Sequence, residues 1–325
     1  MCTVFSFSCK NSFFGRNMDI EYRFGECITI TPRKYRFQTK RSGEFFTKYA
    51  MIGMASVVSD FPLYAEAVNE KGVFIAGLNF PSNAVYLSSV SGKKNAITPF
   101  ELIPYLLGAC ADLKDVEEML ADMEIIDVPF SENLPNAPLH WFIGDSSGCL
   151  TLECTAEGMK LYKNPYGVLT NNPPFPFHCE NIRQFMNLSS CPPENNLSKN
   201  LKITPFAAGM GAMGLPGDFS SASRFVKTFF CKENSKCSED IYSAVSQVFH
   251  ILDSVAMVKG TVITDEGKDD LTLYSCCVDA DQGVYYYKSY TNNQITKISM
   301  TEERKQSKVL KIFPFRENQN IFEEI

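Results

Sequence analysis

Residues 1–19 read MCTVFSFSCKNSFFGRNMD, and the fold is decided here. Residues 2–8 alternate and are rich in strand formers. Lys10, Asn11 and Ser12 make a polar turn, and residues 13–17 return as the second strand of a hairpin. Cys2 stands directly behind Met1. Removal of Met1, expected here, would leave a thiol and a free α-amine on one residue. The thiol acts as a nucleophile only as thiolate, from an ordinary pKa of about 8.5. An α-amine, at about 7.7–8.0, can serve as a base near neutrality. Nucleophile and base then share one residue, as in threonine N-terminal hydrolases.

Working outward, residues 27–31 (CITIT) alternate as a strand stopped by Pro32, and residues 72–80 (GVFIAGLNF) form an apolar strand ended by Pro81. Thr98, Pro99 and Glu101 give an N-cap, a first helical position and a capping box, with Leu102, Ile103, Leu106 and Leu107 at helical spacing behind them. A second helix starts near Asp112 or Lys114. Strands follow at 138–144, 149–155 and 159–163. Residues 172–205, rich in Pro and Asn, read as a long surface excursion. Helices are expected at 221–231 and 238–252, then strands at 258–264, 271–278, 283–290 and 294–300. The strands cluster instead of alternating singly with helices. That pattern predicts an α+β protein of stacked antiparallel sheets covered by helices, not a parallel sheet. With no internal repeat or low-complexity linker, one domain over 2–325 is expected.

The 325 residues are 45% hydrophobic, enough for a large core, and the net charge of −6 argues against a general nucleic-acid binder. No apolar run reaches the length of a membrane span, and the N-terminus lacks the pattern of a signal peptide. A cytoplasmic protein without membrane insertion is the expectation, and its twelve cysteines are expected to be reduced, mostly buried thiols. The scattered His140, His178 and His250 and the wide Cys231/Cys237 spacing give no zinc signature, and no metal or cofactor is expected. His140, inside an apolar strand, reads as a packed residue.

Several residues could join Cys2. Arg16 and Asp19, on the returning strand, could stabilise a thiolate and hold the α-amine. As an exposed pair they would contribute little. Asn79 and Asn171 lie at strand ends, where an amide makes either a local turn or an oxyanion donor. The run GMGAMG at 209–214 matches a dinucleotide fingerprint only formally, because Leu215-Pro216-Gly217 breaks the helix it needs. Arg224 falls in the first turn of a helix, where a cation opposes the helix dipole and must be favoured by something else.

MCT at the start, FGRNMD at 14–19, AGLNFPSNA at 76–84, LHWFIGD at 139–145, GVLTNNP at 167–173, GLPGDFSSASRF at 214–225 and GVYYYKSYTNNQI at 283–295 occur in this order. On these stretches the chain resembles, over nearly its whole length, the choloylglycine hydrolase family of N-terminal nucleophile hydrolases, which includes bile salt hydrolases and penicillin V acylases. The resemblance implies a four-layer αββα sandwich, usually a homotetramer. It implies that Cys2 is the nucleophile and its α-amine the base, that Arg16 sits beside the sulfur, and that Asp19 orients the amino terminus. Asn79 and Asn171 would support the oxyanion, and Arg224 would complete the charged shell. Asn79, where penicillin V acylases tend to have tyrosine, favours glycine- or taurine-conjugated bile salts as substrate. Met18, Phe24 and the 125–137 loop are candidate walls for a steroid, with Asn79 at its amide. The implied thioester could also pass its acyl group to amino acids. The alternatives are a penicillin V acylase, a class II glutamine amidotransferase domain, and a non-catalytic bile-acid-binding protein.

Overall fold

In the computed structural model, which describes residues 1–90 and 95–324, the first hairpin forms where the alternation places it. Residues 91–94 and 325, within the expected domain, lie outside the described residues. Strand Cys2–Ser8 pairs antiparallel with Ser12–Ile20, Cys2 opposite Met18 and Val4 opposite Arg16. Among the described residues the hairpin belongs to a six-stranded antiparallel sheet, in the order Val168–Leu169, Cys2–Ser8, Ser12–Ile20, Leu271–Asp279, Val284–Ser289, Asn292–Ser299. A second sheet of eight antiparallel strands runs Gly158–Lys163, Gly148–Thr155, Leu139–Asp145, Phe74–Asn79, Phe61–Asn69, Met51–Val58, Glu26–Thr31, Lys311–Pro314.

Period-two alternation divides Ser12–Ile20 between two environments. Phe14, Arg16 and Met18 face the larger sheet, where the Phe14 ring stacks on Phe74 with centroids 4.7 Å apart. Gly15 and Asn17 face the helices instead. A Cβ on Gly15 would stand 2.8 Å from Val248, so only glycine lets helix Ile241–Asp253 lie this close. Asn17 Nδ2 reaches the carbonyl of Leu252. With helix Ser221–Asn234, this helix covers the smaller sheet. Helices Leu102–Ala109 and Leu113–Ala121 cover the larger one, burying Leu102, Leu106, Val116 and Leu120 against Ile75 and Trp141. These are the four αββα layers that the resemblance implied. The Thr98 capping box forms, and its first turn, Pro99–Glu101, is a 3₁₀ turn leading into the α-helix.

Two of the β-bulges among the described residues, one from each sheet, bear on the interior between the sheets. In the larger sheet Ala55 pairs with Tyr64 but Met54 pairs with Glu66, leaving Ala65 as the extra residue. In the smaller sheet Asp19 pairs with Thr272 but Met18 pairs with Tyr274, leaving Leu273 extra. Each bulge reverses the facing of the residues that follow it.

Three expectations are corrected. Residues 258–264 are not a strand. Gly260, at φ +90°, turns the chain so that Thr261 N–H bonds the Val258 carbonyl, and only Ile263 makes an isolated bridge. The 172–205 excursion is partly helical, with Phe175–Asn181 and a 3₁₀ turn Ile182–Phe185. The cysteines are not all thiols. Cys9, after the first strand, is joined by a disulfide to Cys237, before helix Ile241–Asp253, and a separation of 228 residues gives no local signal of it. Strands Met51–Val58 and Phe61–Asn69, which occupy the centre of the larger sheet, had no place in the sequence reading. Among the described residues no helix is long and apolar enough to cross a membrane.

Candidate active site

Cys2 begins the first strand, and its side chain shares a face with Met18 and Arg16. The sulfur lies 3.8 Å from Met18 Sδ and accepts from Arg16 Nη2 at 3.4 Å. Arg16 is fully buried between the sheets. Its Nη2 also donates to the Gly77 carbonyl at 2.7 Å, and Nη1 donates to the Ala65 carbonyl at 2.6 Å and to Glu66. A charge buried this deeply survives only when paired and hydrogen-bonded. Burial works against the Arg16 cation, but Glu66 and the Cys2 sulfur more than offset it and hold its pKa well above the ordinary value.

Asp19 projects from the other face of the same strand. Its Oδ1 accepts from Thr272 Oγ1 at 2.5 Å, and Oδ2 lies 3.9 Å from Arg224 Nη1. Burial pushes the Asp19 carboxyl up, against the pull of Arg224 and the N-terminal amine. That amine belongs to Met1 in this chain; it donates to the Asp19 carbonyl and lies 3.3 Å from Asp270 Oδ2.

Arg224 explains its unfavourable position on the helix. Ser220 caps helix Ser221–Asn234, and Arg224 turns inward to donate to the carbonyls of Cys2 and Phe219, to Thr3 Oγ1 at 2.6 Å and to Asn171 Oδ1 at 2.8 Å. Burial lowers its pKa from the arginine value, with Asp19 and Cys2 opposing.

Asn171 closes the ring. Its Oδ1 accepts the backbone N–H of Cys2 at 2.7 Å, and its Nδ2 donates to the Asn79 carbonyl at 2.7 Å. Behind it, His178 Nε2 bonds the Asn171 carbonyl at 3.0 Å, while His140 lies between Glu153 and the Thr170 carbonyl with its ring stacked on Phe80. His140 is thus a packed residue, as its apolar strand suggests. Asn79 ends strand Phe74–Asn79 with its side chain exposed on a cavity of about 610 Å³.

The six sequence-derived residues form one connected cluster about Cys2: Arg16 touches its sulfur, Asn171 and Arg224 hold its backbone, Asp19 lies 3.9 Å from Arg224, and the Asn79 carbonyl accepts from Asn171. Met18, Phe24 and, from the 125–137 loop, Phe130 and Leu134 line the cavity, joined by Phe100 and Ile103. The sequence reading missed Glu66, Tyr274 and Tyr285, which close the site from behind. The GMGAMG run holds a 3₁₀ turn, Met210–Ala212, with no α-helix at its end, in agreement with rejecting a nucleotide site.

Two facing antiparallel sheets between helices, with Cys2 opening the strand next to the edge of the smaller sheet, are the architecture of the N-terminal nucleophile hydrolases. The family model for linear amide C–N hydrolases, choloylglycine hydrolase family, matches residues 2–313. A bile salt hydrolase/transferase of Lactiplantibacillus plantarum is 43% identical over 316 residues, 97% of each chain. The crystal structure of a mutant conjugated bile acid hydrolase from Clostridium perfringens superposes with TM-score 0.91 at 37% identity, covering 99% of each chain. A penicillin V acylase from Agrobacterium tumefaciens shares the fold at TM-score 0.77 and 19% identity, over 96% of this chain and 91% of its own. The chain belongs to the choloylglycine hydrolase family.

Proposed function

We propose that this protein hydrolyses the amide bond of glycine- or taurine-conjugated bile salts, with Cys2 as an N-terminal nucleophile after loss of Met1. The observation that carries this reading is the position of the Cys2 sulfur. It lies beside a buried guanidinium at one end of an apolar cavity whose volume suits a steroid-sized ligand. Arg16 supports the thiolate. The Cys2 nitrogen, held by Asn171 Oδ1, becomes the α-amine once Met1 is gone, and Asp19 and Arg224 fix the backbone around it.

In the first step the thiolate forms a C–S bond to the substrate carbonyl. The resulting oxyanion takes hydrogen bonds from the Asn79 carboxamide and from the Asn171 N–H not used by the Asn79 carbonyl. The α-ammonium gives its proton to the departing nitrogen, the C–N bond breaks, and glycine or taurine leaves. Water then gives a proton to the same amine and attacks the thioester, which releases cholate and restores the thiolate. Met18, Phe24, Phe100 and Phe130 hold the steroid. The working protein is a single-domain, cytoplasmic homotetramer that needs no cofactor.

Amine release from glycocholate, taurocholate and phenoxymethylpenicillin, for wild type and Cys2→Ala, tests the reading, with the N-terminus checked by intact mass. The expected result is release from the bile salts that falls at least about 10³-fold in the variant. Preferential release from the penicillin would move the substrate class. Activity on neither, with Met1 absent, would favour a binding protein.

A further inference from the structure

Glu66 reaches out of the larger sheet into the smaller one. The bulge at Ala65 turns it away from the face occupied by Tyr64, which lies in the core under the helices, and into the space between the sheets. The same bulge presents the Ala65 carbonyl to Arg16 Nη1. From the smaller sheet, the bulge at Leu273 separates Thr272, which serves Asp19, from Tyr274, which serves Glu66. Tyr274 donates to Glu66 Oε2 at 2.9 Å, and Tyr285 donates to Oε1 at 2.6 Å. Cys276 Sγ lies 3.7 Å from Oε1. Every member of this cluster is buried.

We propose that Glu66, Tyr274 and Tyr285 are positioning residues for the cysteine chemistry. Glu66 locks the guanidinium whose other nitrogen touches Cys2, and the two hydroxyls set how much of the Arg16 charge is left for the sulfur. This rests on the proposed role of Cys2. A carboxylate with all its charge directed at Arg16 would largely cancel the field the sulfur feels. Two hydrogen bonds from neutral donors draw part of that charge away. The hydroxyls remain protonated donors, since burial and the nearby Glu66 charge raise both phenols well above their ordinary range. Around Glu66 the titratable groups are Arg16, Tyr274, Tyr285 and Cys276. Around Cys2 they are Arg16 from its own sheet, Arg224 from the covering helix, and the N-terminal amine with Asp19 and Asp270 beyond it.

The proposal predicts shifts of opposite sign. In Tyr274→Phe and Tyr285→Phe, Glu66 binds Arg16 more strongly and the thiolate loses support. The pH midpoint of Cys2 alkylation by iodoacetamide should rise by about half a unit to one unit, with kcat falling several-fold and KM unchanged. In Glu66→Gln the midpoint should fall, while kcat also falls because Arg16 loses its anchor. Alkylation is followed on the N-terminal peptide by mass spectrometry, because other thiols, such as the exposed Cys191, also react. An unchanged midpoint in both tyrosine variants, or a shift of the same sign in all three variants, overturns the proposal. If Glu66→Gln does not fold, the tyrosine variants decide alone. Failure of the proposed function is seen separately: alkylated Cys2 with undiminished glycocholate cleavage would remove the nucleophile while leaving the midpoints readable.

Discussion

Two buried arginines flank Cys2, from opposite sides of one sheet, and they are held in opposite ways. Arg16, between the sheets, has a carboxylate in direct contact, and its proton is held more tightly than in a free arginine. Arg224, between the smaller sheet and its helices, relies on carbonyls, a hydroxyl and an amide. Its nearest carboxylate oxygen is 3.9 Å away, and its pKa is lowered. A paired cation fixes a charge at the sulfur. A cation satisfied by neutral acceptors mainly organises backbone, here the Cys2 carbonyl and the Asn171 side chain. The difference follows from the alternation of Ser12–Ile20, which sends Arg16 to one face and Asp19 to the other.

Removing the paired cation should cost the most. Arg16→Met leaves Glu66 as an uncompensated buried charge, and unfolding in urea should show a loss of about 3–5 kcal/mol. Arg224→Met strands only Asp19, 3.9 Å away, whose carboxyl is already pushed by burial toward its protonated form. It gives up charge-assisted hydrogen bonds, and a smaller loss of about 1.5–3 kcal/mol is expected in the same assay. Equal losses would break the distinction between the two sites.

The acid-side pH dependence sharpens it. Because the Asp19 carboxyl is raised in the folded state, chiefly by burial, the native protein keeps a proton that the unfolded chain has released. Stability from this group is therefore present below the unfolded carboxyl pKa and declines as pH rises toward the folded value. Asp19→Asn removes that declining term, so the urea midpoint of the variant relative to wild type should rise with pH across the acid range. A relative midpoint that falls with pH would contradict the assignment. The smallest effect belongs to an arginine at the surface. Arg183 pairs with Glu180, both side chains well exposed, and Arg183→Met should change stability by less than about 0.5 kcal/mol.

The legible parts of the site are those carried by local pattern. Strand alternation gives the hairpin, and Pro81 marks the strand end at Asn79. The cap at Thr98 and Glu101 is written in consecutive residues. Arg224 shows as a cation in the wrong turn of a helix. Glu66 was illegible for a physical reason. In FPLYAEAVN strict alternation puts it on the face of Tyr64, and only the bulge at Ala65 sends it to the other side. Tyr274 was hidden in the same way by the bulge at Leu273, and the strand at 258–264 failed because one glycine turns the chain. The Cys9–Cys237 link needs the whole fold before its ends meet.

That link also changes the topology of the molecule. Residues 9–237 form a covalent ring, from which two tails emerge. The short tail carries Cys2, the long one carries Tyr274 and Tyr285, and Arg16, Asp19, Asn79, Asn171 and Arg224 all belong to the ring. A protease cut in the exposed stretch 192–206 opens the ring without dividing the molecule, and the two pieces separate only after reduction. A cut in the exposed turn at 264–268 lies in the long tail and divides the chain with the disulfide intact.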